Sequence, residues 1–304
     1  MAHERTDAAP VMLGMTLPDV DVWSERIAVA LGQNPSPFTG PGTNTYLVGT
    51  GRRRILLDTG QGVAAWLPVL EQAMRRVGCE ELQEIVLTHA HVDHIGGCEQ
   101  VMRRFGPLTV KKLPWPEVDA GYSFEITPIA DGDVVRTEGA TLRAIHTPGH
   151  APDHLCYWID EERSLVSGDN VLGVGTTVIP AQSGDLSQYL ASLERLLALA
   201  PERIYPAHGP CIANGVRKIQ EYLDHRRARD EQILAALRSG ARDVPAIVAI
   251  VYAAYPVALH AAAGQSVASH LRKLEREGRV RREAASSGSS TSNEDPTTAR
   301  WQPA

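Results

Sequence analysis

Short runs of apolar and β-branched residues recur along the chain as far as Ile212, and glycine, proline or polar residues bound most of them. Such runs are typical of β-strands buried in a sheet. The predicted strands are Ile27–Ala30, Thr45–Val48, Ile55–Leu57, Ile85–Thr88, Leu142–His146, Leu155–Ile159 and Ser164–Ser167. Between some of them, Ala64–Val77 and Leu186–Leu199 carry apolar residues at helical spacing. Strands interspersed with amphipathic helices predict sheets with helices packed outside them.

From Ile212 onward the pattern becomes helical. The predicted helices are Val216–Arg238, Val244–Tyr255 and Gly264–Gly278. We therefore predict a main domain over residues 22–212 and a small helical domain over residues 213–282. Residues 1–21 are expected to be flexible, and residues 283–304, which lack periodic apolar positions, are expected to be disordered.

Composition narrows the functional classes. The 304 residues include 30 basic and 36 acidic side chains, so the net charge of −6 gives the whole molecule no strong attraction for nucleic acid. The four cysteines form no CxxC pair, which indicates neither a disulfide framework nor a zinc finger. The N-terminal segment does not look like a signal peptide, and no later segment could span a bilayer. We expect a cytoplasmic protein, and this weighs against an exported antibiotic-degrading enzyme.

The segment Glu84–Gly97 runs from an apolar strand directly into four potential metal ligands. These are His89, His91, Asp93 and His94. Because they sit on a loop, the first two can face one ion while the others face a second. Imidazole and carboxylate suit zinc, with manganese or iron as competitors. Ordinary loop histidines are the alternative, but four such residues within six positions argue against it.

Three more ligand types follow downstream, each after an apolar run and beside glycine or proline. They are His150 in Thr-Pro-Gly-His, Asp169 in Ser-Gly-Asp-Asn and His208 in Pro-Ala-His-Gly-Pro. Such flanks present a side chain from a tight loop at a sheet edge. The sequence therefore predicts a metal site with ligands from several strand ends.

This ligand series, THxHxDH, TPGH, GD and PxHG, resembles that of the metallo-β-lactamase superfamily. The resemblance implies an α/β fold, an αββα sandwich with two Zn²⁺ ions (Mn²⁺ or Fe as alternatives) at its rim. His89, His91 and His150 would hold one ion, Asp93, His94 and His208 the other, and Asp169 would bridge them. Asp58 would support the ligand loop. Two such cations lower the pKa of a bridging water, and Asp93 would orient the resulting hydroxide.

A longer resemblance, over roughly residues 22–282, is to the β-lactamase-like protein 2 endoribonuclease family, and fungal thioesterases share much of it. The similar segments are Asn34–Phe38, Gly42–Gly51, Glu138–Arg143, Ser167–Thr177, His225–Leu234 and Leu271–Gly278. Hydrolysis of single-stranded RNA is the leading expectation. The alternative is a thioesterase or another acyl (lactone, β-lactam) hydrolase. β-Lactamases of the superfamily generally lack the bridging Asp169. A noncatalytic nucleic-acid-binding protein ranks last, because the ligand set is complete.

Other candidate residues are less specific. His154 is predicted either to donate a proton to the leaving group or to support a ligand. Asn44 and Tyr46 are predicted to line the substrate cleft, although Asn44 equally fits a turn. Lys111 and Lys112 are predicted either to contact phosphate or to lie at the plain surface.

The helical tail resembles a winged helix, and its cations form either a phosphate-binding edge or a solvated face. These cations are Arg272, Lys273, Arg276, Arg279, Arg281 and Arg282. The expected partners are single-stranded RNA or a small acyl substrate, with no membrane and with a homodimer left open.

Overall fold

The computed structural model describes residues 15–180, 182–283 and 295–304. These residues divide into two compact units. The first lies within Met1–Thr147, Asp153–Thr176 and Ala200–Val216, and the second within Pro148–Pro152, Thr177–Leu199 and Arg217–Ala304. Each unit thus combines separate chain segments. The two contiguous domains proposed from the sequence, residues 22–212 and 213–282, stay predictions.

The first unit contains two β-sheets in its described residues. One sheet runs in chain order through β1 (Val20–Val22), β2 (Ile27–Leu31), β3 (Asn44–Val48), β4 (Arg53–Leu57), β5 (Glu81–Val86), β6 (Val110–Lys112) and β7 (Ile126–Pro128). Strands β1 to β4 pair antiparallel, and β4 to β7 pair parallel. The other sheet has the order β12-β11-β10-β9-β8. Its strands are β8 (Val134–Thr137), β9 (Ala140–His146), β10 (Leu155–Ile159), β11 (Ser164–Gly168) and β12 (Arg203–Pro206).

Alternation along the strands builds two cores. In β2, Ile27 and Val29 join an apolar cluster with Leu142 and Tyr157 of the second sheet. Their neighbours on β2 point to the opposite face, as the two-residue period requires, and pack with helical residues there. The helices of this unit are α1 (Trp66–Arg76), α2 (Val92–Ile95), α3 (Cys98–Phe105) and α4 (Pro116–Asp119). The first unit therefore contains one helical layer and two facing sheets of the predicted sandwich.

The second unit contains helices and a β-ribbon. Its elements are α5 (Leu186–Ala198), α6 (Gly215–Arg238), α7 (Val244–Val251), a 3-10 turn (Val257–Leu259), α8 (His260–Arg276), β13 (Val280–Arg282) and β14 (Trp301–Pro303). The Asp243 carboxylate caps α7 by accepting the Ala246 N–H at 2.9 Å. An apolar core joins α6, α7 and α8 to the antiparallel ribbon β13–β14. Helices packed on a two-stranded ribbon form the winged-helix-like arrangement expected from the sequence.

Described segments near both ends of the chain are more ordered than expected. Trp301 is fully buried and its backbone N–H donates to Arg242 O at 2.7 Å, so disorder was wrong for Asp295–Ala304. One large aromatic side chain anchors this segment, and a single anchor leaves no periodic pattern in the sequence. Val20 of β1 pairs with Ala30 of β2. The prediction of a flexible segment over residues 1–21 was therefore wrong at Val20. Residues 1–14 and 284–294 lie outside the described residues.

Two other expectations concern cysteines and membranes. None of the four cysteines, all within the described residues, forms a disulfide, and Cys79, Cys98 and Cys156 are buried. Among the described helices, none combines the length and apolar character needed to cross a bilayer.

Candidate metal centre

The predicted ligands converge into two groups. In each group, one ligand atom of every member lies within 4.8 Å of the others. The first group is His89, His91, His150 and Asp169, and the second is Asp93, His94 and His208. The structure therefore brings together all seven side chains, in the two sets that the resemblance implied.

Asp169 lies beside both groups. It is grouped with His89 and His91, yet its Oδ1 is 3.1 Å from His208 Nε2 and 3.5 Å from His94 Nε2. Asp93 Oδ2 lies 3.3 Å from each of the same two nitrogens. A carboxylate in this position fits the predicted bridging role.

Asp58 orients the ligand loop from the end of β4. Its Oδ1 accepts the Thr88 N–H at 2.8 Å, and its Oδ2 accepts the Thr88 hydroxyl at 2.9 Å and His94 Nδ1 at 2.8 Å. An ionised carboxylate only accepts, so Nδ1 of His94 donates its proton to Asp58, and Nε2 is the nitrogen that could bind a metal ion. That Nε2 is buried without a hydrogen-bond partner in the described part of the chain, which is the environment a metal ligand needs.

Hydrogen bonds also fix the orientation of two imidazoles of the first group, His89 and His150. The Thr88 hydroxyl donates to Asp58, so its oxygen accepts His89 Nδ1–H at 3.0 Å. Nε2 of His89 is then the nitrogen that could bind a metal ion. That Nε2 lies 2.9 Å from His91 Nδ1, and two lone pairs so close together suit one shared cation. His150 Nδ1 donates to Val178 O at 2.8 Å, which again directs Nε2 to the metal.

The electrostatics of the site favour cations. Burial alone would raise the pKa of Asp169, but His208 and His94 outweigh it and hold that pKa well below its usual value. Burial alone would lower the pKa of His208, but Asp169 and Asp93 raise it to about 10. The carboxylates thus hold protons on the imidazoles, and a divalent cation would replace that positive charge. The donor set of imidazoles and carboxylates fits Zn²⁺, Mn²⁺ or Fe.

Two family descriptions match this chain. The Metallo-beta-lactamase superfamily matches residues 38–208, and the Beta-lactamase associated winged helix domain matches residues 244–289. The chain belongs to the metallo-β-lactamase superfamily. The predicted fold class, an α/β sandwich with a C-terminal winged-helix domain, is confirmed. Proteins of this superfamily are hydrolases whose fold binds divalent metals.

Relatives and solved structures agree with this assignment. A Beta-lactamase-like protein 2 homolog of Caenorhabditis elegans is 39% identical over 267 residues, which are 86% of this chain and 88% of that protein. An Atrochrysone carboxyl ACP thioesterase of Aspergillus fumigatus is 40% identical over 234 residues, 75% of this chain and 70% of that one. The crystal structure of a Beta-lactamase domain protein from Burkholderia ambifaria shares the fold with a TM-score of 0.79, 20% identity and 96% coverage of each chain.

Asn44 and Tyr46 do not line a cleft in this metallo-β-lactamase-superfamily chain. Asn44 is fully buried and its Nδ2 donates to Pro206 O and Gly209 O, both at 2.8 Å. The buried Tyr46 hydroxyl also donates to Pro206 O. Both side chains hold the loop that carries His208, so their prediction as substrate contacts was wrong.

Lys112 and Lys111 are both ion-paired. Lys112 is fully buried, with Nζ 2.8 Å from Asp153 Oδ2 and 3.0 Å from Asp119 Oδ1, so it does not reach a substrate. Its burial follows from strand alternation, which turns it inward from β6. Lys111 Nζ lies 2.7 Å from Glu84 Oε2 and does not offer an unpaired charge either.

His154 hydrogen-bonds the backbone of Asp169, one of the predicted ligands. Its Nε2 accepts the Asp169 N–H at 3.1 Å, which places the ring proton on Nδ1, beside Thr147 Oγ1 at 2.9 Å. The ring is fully buried with both nitrogens engaged. This geometry favours support of Asp169 over proton donation to a leaving group.

Thr43 was missed by the sequence analysis. Its hydroxyl donates to Asp93 Oδ2 at 3.1 Å and accepts from Asn34 Nδ2 at 3.0 Å. The signal was its place in the Gly42–Gly51 segment, but a threonine there also fits an ordinary strand start.

Proposed function

We propose that this hydrolase uses two divalent metal ions, Zn²⁺ first among them, to cleave activated acyl bonds, with thioesters as the first substrate class. One observation carries this choice of substrate. Most of the cations that were expected to bind RNA phosphates are paired with carboxylates. The sequence alone ranked RNA first, and we place thioesters ahead of RNA because this pairing weakens the argument for phosphate binding.

Four of the six cations of the predicted basic edge are paired with carboxylates. Lys273 Nζ lies 2.8 Å from Asp230 and 2.7 Å from Glu277. The other pairs are Arg276 with Asp185 at 2.8 Å, Arg279 with Glu231 at 2.6 Å, and Arg282 with Glu275 at 3.2 Å. RNA affinity depends on cations that replace the counterions of phosphates, and cations already paired with carboxylates do so poorly. Lys111 and Lys112 are paired in the same way.

One exposed apolar side chain lies between two predicted ligands, and another lies on a loop that hydrogen-bonds towards them. Val92, between His91 and Asp93, is 60% exposed. Phe38 is 66% exposed. It follows Asn34, which donates to the Thr43 hydroxyl, and that hydroxyl donates to the predicted metal ligand Asp93. Apolar groups beside a few fixed polar groups suit the acyl part of a substrate better than a phosphodiester backbone.

The proposed chemistry divides between the ions and the chain. When bound, the two ions would polarise the carbonyl under attack and activate a water molecule. His89, His91 and His150 would hold one ion, and the second group would hold the other. Thr43 fixes one carboxylate oxygen of Asp93, so Asp93 is the group we assign to orient the attacking water. Asp169 would bridge the ions, and its N–H is held by His154.

Single-stranded RNA cleavage is the second candidate. One observation favours it: the Beta-lactamase-like protein 2 homolog matches 86% of this chain, whereas the thioesterase matches 75%. The resemblance to that endoribonuclease family therefore extends over more of the chain. A cytoplasmic location and a homodimer stay predictions.

A substrate panel on the purified, Zn²⁺-loaded protein tests the ranking. Short and long acyl thioesters, a lactone, a β-lactam and a single-stranded RNA are each assayed with wild type and Asp169→Ala. Thioester turnover that is lost in Asp169→Ala supports the proposal. Asp160→Ala is the control, because Asp160 is surface-exposed and pairs only with Arg143 among the described ion pairs. Rapid RNA cleavage with inert thioesters would make the second candidate the function.

A further inference from the structure

Three consecutive backbone carbonyls of Thr177–Ile179 accept hydrogen bonds from side chains of the second unit. Arg226 Nη2 donates to Thr177 O at 2.5 Å, and Ser269 Oγ donates to Ile179 O at 2.9 Å. Between them, His150 Nδ1 donates to Val178 O at 2.8 Å. We call Arg226 and Ser269, bonded to this segment, the carbonyl clamp. It holds the peptide group whose carbonyl accepts the His150 Nδ1–H.

The contact at Val178 matters because it decides which His150 nitrogen can bind a metal. A carbonyl oxygen only accepts, so Nδ1 must carry the proton and Nε2 the lone pair. The direction of the same bond sets the rotation of the ring. Partners of this kind orient the imidazole ligands of metal sites and tune their affinity. A shift of the Val178 carbonyl would therefore rotate or release the His150 ring.

The clamp is built from buried groups that have little freedom to move. Arg226 is 3% exposed, and its guanidinium lies over the Tyr189 ring at 5.3 Å. A bond from a charged donor is stronger than one between neutral groups. Ser269 is 2% exposed on α8. Two helices, α6 and α8, thus hold Thr177–Ile179 from both of its ends.

The backbone on the other side of the His150 ring is held by α5 and its cap. Pro148 O accepts the Ser192 hydroxyl at 2.8 Å, and Gly149 O accepts the Asp185 N–H at 2.8 Å. Gly149 has φ of +130°, and a β-carbon on it would lie 2.4 Å from the Tyr189 backbone. Only glycine fits there. With its backbone fixed, the remaining freedom of His150 is ring rotation, which the clamped Val178 carbonyl controls.

We infer that Arg226 and Ser269 are positioning residues for His150 as a metal ligand, acting through the Thr177–Ile179 backbone without touching substrate. The inference rests on the proposed two-metal function, because it needs His150 to bind an ion.

The test compares Arg226→Met with Arg229→Met. Arg229 lies one turn along α6, is 5% exposed, stacks on Tyr252 at 4.0 Å and donates to Val251 O, so it matches Arg226 in everything except the clamp. The measurements are the dissociation constants of both ions by chelator competition and the visible spectrum of the Co²⁺-loaded protein. We expect Arg226→Met to weaken the binding of one ion by roughly 10- to 100-fold and to change the visible absorption bands of the Co²⁺-loaded protein. Arg229→Met should leave both unchanged.

Smaller substitutions cover the case in which Arg226→Met does not fold. Ser269→Ala removes one hydroxyl and should weaken the binding of the same ion. Ser266→Ala, a turn earlier on α8, should leave that binding unchanged. Arg226→Lys keeps a charged donor and should recover part of the affinity.

The outcomes distinguish the positioning role of Arg226 and Ser269 from the two-metal function on which it rests. Equal metal affinities and Co²⁺ spectra in Arg226→Met, Arg229→Met and Ser269→Ala would overturn the positioning role while leaving the two-metal function intact. A wild-type protein that binds no metal would overturn both.

Discussion

His94 donates its Nδ1 proton to Asp58 Oδ2 at 2.8 Å, and both side chains are buried. The Asp58 carboxylate also accepts two bonds from Thr88, so three donors meet on its two oxygens. Asp58 itself has φ of +59°, a backbone conformation that costs a non-glycine residue free energy. These bonds stabilise that conformation and fix the lone-pair nitrogen of His94.

Asp58→Asn should therefore weaken metal binding without removing a ligand. The amide replaces one accepting oxygen with an N–H₂ group, so one of the three donors faces another donor. We expect a loss of roughly 10- to 100-fold in metal affinity, measured by chelator competition. Asp160→Asn, on an exposed aspartate, should bind metal as wild type does. Wild-type affinity in Asp58→Asn would show that Asp58 serves only the backbone.

Lys112→Met should destabilise the fold, because it leaves Asp153 buried beside an apolar group. Removing one partner of a buried pair costs about 3–5 kcal/mol, which urea unfolding would detect. Lys111→Met is the comparison: the Lys111 side chain is 28% exposed, so water can partly replace it beside Glu84 and the loss of stability should be smaller. Wild-type stability of Lys112→Met, together with a raised KM, would restore a substrate-contact role for Lys112.

The sequence predicted best those elements that are buried and locally patterned. Strand Leu155–Ile159 was predicted with its observed bounds, and Ile27–Ala30 proved one residue longer. Both are almost wholly buried, so their residues are apolar and the pattern is strong. The ligand groups were predictable because a dense cluster of ligand types leaves few other interpretations.

The sequence failed where a distant contact decides the outcome. Lys112 is polar and lies on a three-residue strand, and its burial depends on Asp153, 41 positions away. The hydroxyl of Tyr46 and the amide of Asn44 bond the backbone around Pro206, which no local pattern reveals. Helix α7 was predicted to reach Tyr255 but ends at Val251, where the apolar run gives way to Tyr252 and two alanines.

Phe38→Ser should lower activity more for long acyl thioesters than for short ones. The exposed Phe38 ring is proposed to contact the acyl chain, so its loss removes apolar contact area that only long chains use. We expect a several-fold rise in KM for long chains with unchanged metal affinity. Val22→Ser, at another exposed apolar side chain, is the control. An equal change for acetyl and long-chain substrates would place Phe38 outside the acyl site.

Stability should fall in weak acid because of His270. Burial, reinforced by Arg226 and Arg229, lowers the pKa of His270 to about 4 despite its hydrogen bond with Asp230. Unfolded His270 binds a proton near pH 6.5, so the unfolded state holds more protons than the folded state between pH 6.5 and 4. The free energy of unfolding therefore decreases as pH falls through this window, by on the order of 3 kcal/mol.

Urea unfolding of wild type and His270→Asn across this pH range measures the effect. The asparagine can still donate to Asp230 but does not titrate, so its stability should vary less with pH. His146→Asn, in the first unit, should keep the wild-type pH dependence. Parallel curves for wild type and His270→Asn would show that other groups cause the acid sensitivity.

Asp169→Ala should reduce the metal content from about two ions per chain to about one, because the lost carboxylate lies beside both ligand groups. The carboxylate lies beside His94 and His208 of one group while belonging to the other, so its loss removes a ligand from both. The variant should remain folded, since the methyl group introduces no clash and the N–H held by His154 is retained. Metal analysis after dialysis, with circular dichroism as the folding check, gives the answer. One ion in active wild type, or two ions and full activity in Asp169→Ala, would contradict a bridging role and leave Asp169 as an ordinary ligand or support.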